Sequence, residues 1–485
     1  MNGERGERAV ALRCLYKLAL WAAAVFFAIV LAVCLLSVGI WSALLAAAAL
    51  AVLFALRPLL AGLTEPGARR AFWVLFALFA LAAGVFAFAV RVEPAWDFGR
   101  VYHGALEITS SGAIRIDWQY FLESNNNFFL ALVLAPVFIV GSILGLSPLT
   151  SGILFNLAAI DGSVLLLWAA AKRRWGAKWA LAVALACFAC AGLWLYGPIF
   201  YTDTLSMPFV SLGLYLAQRW SEGKRSPWLA AAMGLAAFLA FRLKPTAFFL
   251  YLALVLLWVL RRGGALKAVA AGLAVFAVCM AGWQVWLGHN PVLDTGAIEE
   301  YRLPPLHYVM MGLKNPGGYD ESDHLASQAL PDAAARTAHA KEEILLLLAD
   351  YGPLGFLDHL RQKLAYTWAD GSWFGSHKLG IDPIAPGVLQ QWVADSGEHW
   401  PAFRTLVNAQ QLLICLGLAA CAFCQARRGE QADSLLWAAL VTLLGAGLFL
   451  LVWETRSRYL VGLLPLILAV SARGLGDIFA LRPKK

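Results

Sequence analysis

Charge is scarce in this sequence. Of its 485 residues only 14% are charged, against 61% hydrophobic. A soluble domain of this size would expose more charge, so the scarcity excludes a soluble globular protein. Alternation of apolar and polar residues at period two is also missing, which argues against a β-barrel. Cysteine is confined to apolar surroundings. Cys14, Cys34, Cys187, Cys190, Cys279, Cys415, Cys421 and Cys424 all lie in or beside apolar runs, so no disulfide framework is implied. The two C-x-x-C spacings, Cys187/Cys190 and Cys421/Cys424, sit inside such runs, where packed thiols are a better reading than redox or metal chemistry. The first apolar run lacks a small-residue cleavage site and reads as an uncleaved helix. No internal repeat is visible, which weighs against an inverted-repeat transporter.

What is present is a succession of apolar runs about 17–24 residues long, enough to cross about 30 Å of hydrocarbon as helix. The expected class is all-α and polytopic. Spanning segments are expected near 18–36, 40–56, 71–90, 150–171, 178–198, 204–219, 228–243, 246–260, 265–288, 403–424, 432–453 and 459–479. The net charge of +8 does not signal nucleic acid, because of where it lies. More than half of the 38 basic residues fall in the terminal tails and in short connections carrying Arg57, Arg69, Arg70, Lys172, Arg173, Arg174, Lys178, Arg219, Lys224, Arg225, Arg261, Arg262, Lys267, Arg427 and Arg428. By the positive-inside rule these connections and both termini are cytoplasmic. Twelve crossings satisfy that parity, and the run 126–146 does not fit it. That run is expected to be juxtamembrane or re-entrant.

The opposite side has a different composition. Residues 289–402 carry half of the 30 acidic residues and all but one of the eight His. Such a segment is too long for a simple connector and reads as a lid-like functional loop. The expected organisation is 1–70 as tail and accessory hairpin, then 71–288 as a membrane core with a first outer loop at 91–125. The large outer loop 289–402 and C-terminal helices 403–485 follow.

Asp97 in "EPAWDFGR" and Asp203 in "IFYTDTLSMPF" each sit at the outer mouth of a spanning segment. A carboxylate at a hydrocarbon boundary is costly to desolvate and usually marks a site. The competing reading is a helix cap for each. Arg242 and Lys244 in "FRLKPTAFF" fall at a hairpin tip broken by Pro245. They suit either a snorkelling role or a lipid phosphate, which needs fixed positive partners. Asp161, with Asn156 nearby, reads equally as a functional intramembrane acid or as a structural hydrogen bond. The loop His have no ligand spacing, so no zinc site is assigned.

These features resemble the GT-C superfold of integral-membrane glycosyltransferases, in its protein O-mannosyltransferase and aminoarabinose-transferase branch. The likeness rests on a Trp-Asp after the first core helix, a Tyr-Thr-Asp at the next outer turn and a Lys-Pro-Thr hairpin. It also rests on "HYVMMGLKNPGGYDESDH" (307–324) and "WETRSRYL" (453–460), which look like motifs of a bacterial subgroup. The resemblance implies a polyprenyl-phosphate sugar donor, an extracytoplasmic acceptor in the cell envelope and a site on the outer face of a bacterial plasma membrane. It implies Asp97 as the base that activates the acceptor, and Asp203 as a support for the acceptor or for a divalent ion (Mg²⁺ or Mn²⁺) held with Asp97. It places Arg242 and Lys244 near the donor phosphate. Glu123 is the nearest counterpart of an acidic signature that this chain lacks. His307, Tyr308, Asp320 and Asp323 are candidates for substrate docking, and Glu454, Arg456 and Arg458 at the last outer turn read either as an ion-paired loop or as a contact to the donor phosphate. A transporter of lipid-linked sugars is the alternative, but it does not need a long acid- and His-rich outer loop.

Overall fold

The computed structural model describes residues 2–223, 226–260 and 266–479. Lys224, Arg225, Arg261 and Arg262, counted above among the cytoplasmic basic residues, lie outside the described residues, as does the tail beyond 479. Among the described residues the chain is all-helical, with one isolated bridge between Val92 and Pro383. A spanning helix satisfies its backbone polar groups within itself, as hydrocarbon demands.

The chain opens with three long apolar helices, α1 (Asn2–Ser37), α2 (Ile40–Gly62) and α3 (Glu65–Ala89). The last begins where the Thr64 side chain accepts from Gly67 N, with Pro66 in the first turn. A lateral group follows, α4 (Trp96–Ser111), α5 (Trp118–Glu123) and α6 (Asn125–Ile143). Next come α7 (Pro148–Trp175), α8 (Ala177–Ala189), α9 (Ala191–Leu195), the one-turn α10 (Thr202–Leu205) and α11 (Met207–Ser221). A Pro-broken hairpin joins α12 (Pro227–Leu243) to α13 (Pro245–Leu260), and α14 (Leu266–Leu287) closes this half. The acid-rich loop folds as α15 (Ile298–Tyr301), α16 (Pro305–Leu313), α17 (Glu321–Gln328), α18 (Ala333–Trp368), α19 (Gly375–Gly380) and α20 (Val388–Val393). The C-terminal helices are α21 (Trp400–Arg428), α22 (Ser434–Val452) and α23 (Leu464–Ile478), the last entered through a 3-10 turn over Ser457–Leu463.

Nine helices among the described residues are long and apolar enough to cross a membrane, and α8, α12 and α13 are shorter apolar ones. The twelve segments expected to span fall largely on helix, but 178–198 breaks at Cys190 and 204–219 at Ser206, and 459–479 opens in a 3-10 turn, so the nine long apolar helices, α6 among them, do not by themselves make up twelve crossings. The basic connections gather at one end of the bundle. Arg174 pairs with Asp433 at 2.8 Å, Arg173 with Glu222 at 3.1 Å, Lys17 with Glu430 at 3.0 Å and Arg428 with Asp477 at 3.2 Å. Glu65 accepts from Ala177 N at 2.7 Å, so α3 starts where α7 ends.

Helix α6 is one of the nine long apolar helices, yet both its ends lie at the end of the bundle away from the basic loops. Its first turn holds Arg242 at the α12–α13 tip, and Gly141 in its last turn is packed without room for a Cβ against Ser151 at the start of α7. It therefore keeps to that end and packs beside α4, as a juxtamembrane or re-entrant element would.

The first hairpin is less peripheral than "accessory" suggests. Tyr16 of α1 stacks on Trp437 at 5.0 Å, and Cys34 meets Cys415 at 3.7 Å. Helices α21 and α23 meet through Gly417 and Gly474, where neither position admits a Cβ. The buried cysteines are free thiols in packed helices.

Candidate active site

The end of the bundle away from the basic loops gathers a cluster of charged side chains, the chamber, to which the 289–402 segment contributes Tyr366, Phe374 and Lys378. Asp97 sits in the first turn of α4 and makes no capping bond; its carboxylate pairs with Arg458 at 3.5 Å. Asp203, in α10, makes no capping bond either, and it is ion-paired with Lys244. Neither acid therefore serves as a helix cap, and each is instead ion-paired. Their exposures differ sharply. Asp97's side chain is 38% exposed and Asp203's 1%, so only Asp97 can meet a molecule arriving from solvent.

Lys244 does not snorkel. Pro245 ends α12 there, and the side chain turns inward to Asp203 with its ammonium 5.0 Å from the centre of the Tyr459 ring. Arg242 is buried over the Trp283 ring at 4.7 Å and donates to Asn125 Oδ1 at 3.0 Å, which fixes the hairpin tip to α6. Its Nε has no partner among the described residues.

Arg458 lies over the Trp96 and Tyr459 rings at 5.8 and 5.2 Å. Arg456 lies over the Phe374 ring at 3.8 Å and donates to the Tyr366 hydroxyl. Glu454 is buried and accepts from the Tyr459 hydroxyl at 2.5 Å; burial pushes its carboxyl above the usual range. A hydrogen-bonded trio stands behind Asp97. Asn127 donates to the Tyr120 hydroxyl at 2.5 Å and accepts from the Tyr201 hydroxyl at 3.1 Å, and both tyrosines face Asp97.

The other expected residues join less directly. Tyr308 stacks on Trp453 at 5.0 Å, and its carbonyl accepts from Glu454 N at 2.9 Å. His307 is fully buried against Ser327 at 2.9 Å, and burial pulls its pKa down to about 4, which keeps it neutral and structural. Glu123 accepts from Gln328 at 2.6 Å and faces His324 at 3.6 Å, so it ties α5 to α17 rather than entering the chamber. Asp320 caps α17, and Asp323 pairs with Lys314. Asn156 donates to the Tyr196 and Gly197 carbonyls at 2.8 and 2.9 Å and makes no bond to Asp161.

The residue that the sequence reading misses is Lys378. Its ammonium lies 3.3 Å from the centre of the Trp96 ring and 5.2 Å from that of Phe374. Burial, reinforced by neighbouring Arg458, pulls its pKa down to about 7. The stretch "DGSWFGSHK" delivers it. Asp370 Oδ1 accepts from Ser372 N at 2.9 Å, and Oδ2 accepts from Phe374 N at 2.6 Å and Ser457 Oγ at 2.7 Å. Trp373 and Phe374 are held at φ 55 and 64, and Trp96 at φ 48. Left-handed backbone at bulky residues costs on the order of 1–3 kcal/mol each and persists where the surroundings enforce it. A Trp-Phe pair inside a turn-rich loop was the available signal.

Among the described residues no three His, Cys, Asp or Glu side chains converge on one point. Asp97 and Asp203 offer a divalent ion no third ligand of that kind, and Arg458 and Lys244 compete for their oxygens. The pair does not fit a resident metal as it stands.

Fold and site together define a polytopic α-helical membrane protein with a cation-rich chamber at one end. The chain belongs to the family described as conserved hypothetical integral membrane protein, whose model matches residues 22–475. No curated protein sequence matches it. Among solved structures it is similar to ArnT from Cupriavidus metallidurans bound to undecaprenyl phosphate. Identity is 16%, covering 83% of this chain and 78% of that one, with a TM-score of 0.39, a likeness too loose to transfer residue roles.

Proposed function

We propose that this protein is a membrane glycosyltransferase that moves a sugar from a polyprenyl-phosphate carrier to an extracytoplasmic acceptor of the cell envelope. The observation that carries the reading is one solvent-reachable carboxylate, Asp97, set in the same chamber as Arg458, Lys378 and Arg456. Glycosyl transfer from a phosphate needs both parts, a base for the acceptor and fixed positive charge for the departing group. Asp97 accepts the acceptor's proton as the acceptor oxygen attacks the anomeric carbon. A single displacement inverts that carbon. Asp203 is buried and paired, so its role is to hold Lys244 and shape the field rather than to touch the acceptor. Arg242 positions the hairpin tip through Asn125. The positive-inside rule puts the basic loops in the cytoplasm and the chamber outside, where an envelope acceptor waits.

Mass analysis of envelope glycans, glycolipids and glycoproteins from cells with and without the protein tests this reading. The expected result is one sugar missing from one acceptor, with its lipid-linked donor accumulating. Identical profiles, with no donor accumulation, would refute it.

A further inference from the structure

Four cations share the chamber, and two carboxylates are committed to two of them. Asp203 pairs with Lys244 and Asp97 with Arg458. Glu454 is bonded to Tyr459 and lies in the field of Lys363. Lys378 and Arg456 have no carboxylate within ion-pairing distance among the described residues, and both stand against the Phe374 ring, at 5.2 and 3.8 Å. Arg456 is half-buried and donates to the Tyr366 hydroxyl, whereas Lys378 is buried; a buried cation without an anionic partner is costly, and aromatic faces offset only part of that cost. Lys378 is 8% exposed. The chain also holds Trp373 and Phe374 in left-handed backbone to present this pair, with Asp370 clamping the segment and the Tyr196 hydroxyl donating to Trp373 O at 2.9 Å.

Resting on the transferase reading above, we propose that Lys378 and Arg456 form a site for a phosphomonoester dianion, the lipid monophosphate that leaves, and that it discriminates against the phosphodiester donor. In the transfer step the bond from the anomeric carbon to the phosphate oxygen breaks, and its electron pair stays on that oxygen. The acceptor oxygen bonds to the carbon, and the acceptor proton passes to Asp97. The phosphate thus goes from one negative charge to two. Two unpaired cations match the product and the late transition state better than the donor, which is what accelerates a step. A consequence is inhibition by free lipid phosphate, so the reaction that recharges this carrier with sugar must keep it scarce.

Calorimetric titration of the purified full chain in detergent tests the site without turnover. The probes are dodecyl phosphate, its methyl diester and inorganic phosphate. Dodecyl phosphate should bind at least about tenfold tighter than the diester, the scale of one charged hydrogen bond. Lys378→Met should weaken dodecyl phosphate about tenfold or more and the methyl diester by clearly less, so that the preference shrinks, and Arg456→Gln should act likewise. Equal affinity of the wild type for the two esters would overturn the proposal while leaving the transferase reading intact, and this comparison needs no variant. Loss of the preference in Lys244→Met but not in Lys378→Met would move the site to the hairpin tip and overturn it too. Inorganic phosphate binding as tightly as dodecyl phosphate would make this a free-phosphate site, also against the proposal. No binding of any ester would count against both readings.

Discussion

At the scale of single residues the chamber is a set of unequal partners. Asp203 and Lys244 are buried together, and removing one leaves the other uncompensated. Asp203→Asn alone should destabilise the protein by about 3–5 kcal/mol. The double variant Asp203→Asn/Lys244→Met should recover most of that loss in a thermal-unfolding cycle but not transfer activity. Additive losses would show that the pair does not act as a unit. Lys378 makes a second prediction, one of pH. It faces Arg458, Asp97, Arg456 and Asp203, and its pKa lies near 7. Above about pH 7 a phosphomonoester is already a dianion, its second pKa being about 6. As pH rises further the Lys378 charge is lost, so affinity for a lipid monophosphate should fall from pH 7 to pH 8.5. Lys378→Arg, which stays charged, should hold its affinity over that range; a wild-type affinity that does not fall there would contradict the account. These residues differ in how far the sequence reveals them. Asp97 and Asp203 are visible because an acid at a hydrocarbon boundary is conspicuous in one dimension. Lys378 is not, since a lysine in a polar loop is ordinary until folding lays it on Trp96.

At the scale of elements, the loop 370–378 carries Lys378, the cation proposed to meet the lipid phosphate, and one carboxylate holds that loop. Asp370 gathers Ser372, Phe374 and Ser457. Asp370→Ala should release the segment, lowering affinity for dodecyl phosphate about tenfold, with retention volume and helix content unchanged. Full affinity in that variant would mean that packing alone orders the loop. The helices themselves were largely legible, because length, apolarity and Pro or Ser at a first turn are local properties. Pro227 and Pro245 mark two starts in this way. Charge parity set α6 apart from the expected spans, whereas its own composition suits a span. The union of Glu123 with α17 was not legible, since it joins residues 205 positions apart.

At the scale of the whole molecule, sidedness follows from the basic loops and is open to direct test. Cys14 is exposed and belongs to the tail that pairs with Glu430 at the basic end. In intact cells an impermeant maleimide should leave Cys14 unlabelled until the membrane is permeabilised. A Ser111→Cys variant, at the exposed end of α4, should label at once. The reverse pattern would turn the chamber to the cytoplasm and remove its access to an envelope acceptor. The central claim, however, is catalytic, and it rests on Asp97. Its most direct test is single-turnover transfer from a radiolabelled polyprenyl-phosphate sugar to an envelope extract, by purified wild type and Asp97→Asn matched for folding and for phosphate affinity. Loss of a general base should slow Asp97→Asn by about a hundredfold or more while donor binding holds. Transfer by Asp97→Asn at the wild-type rate would contradict the account.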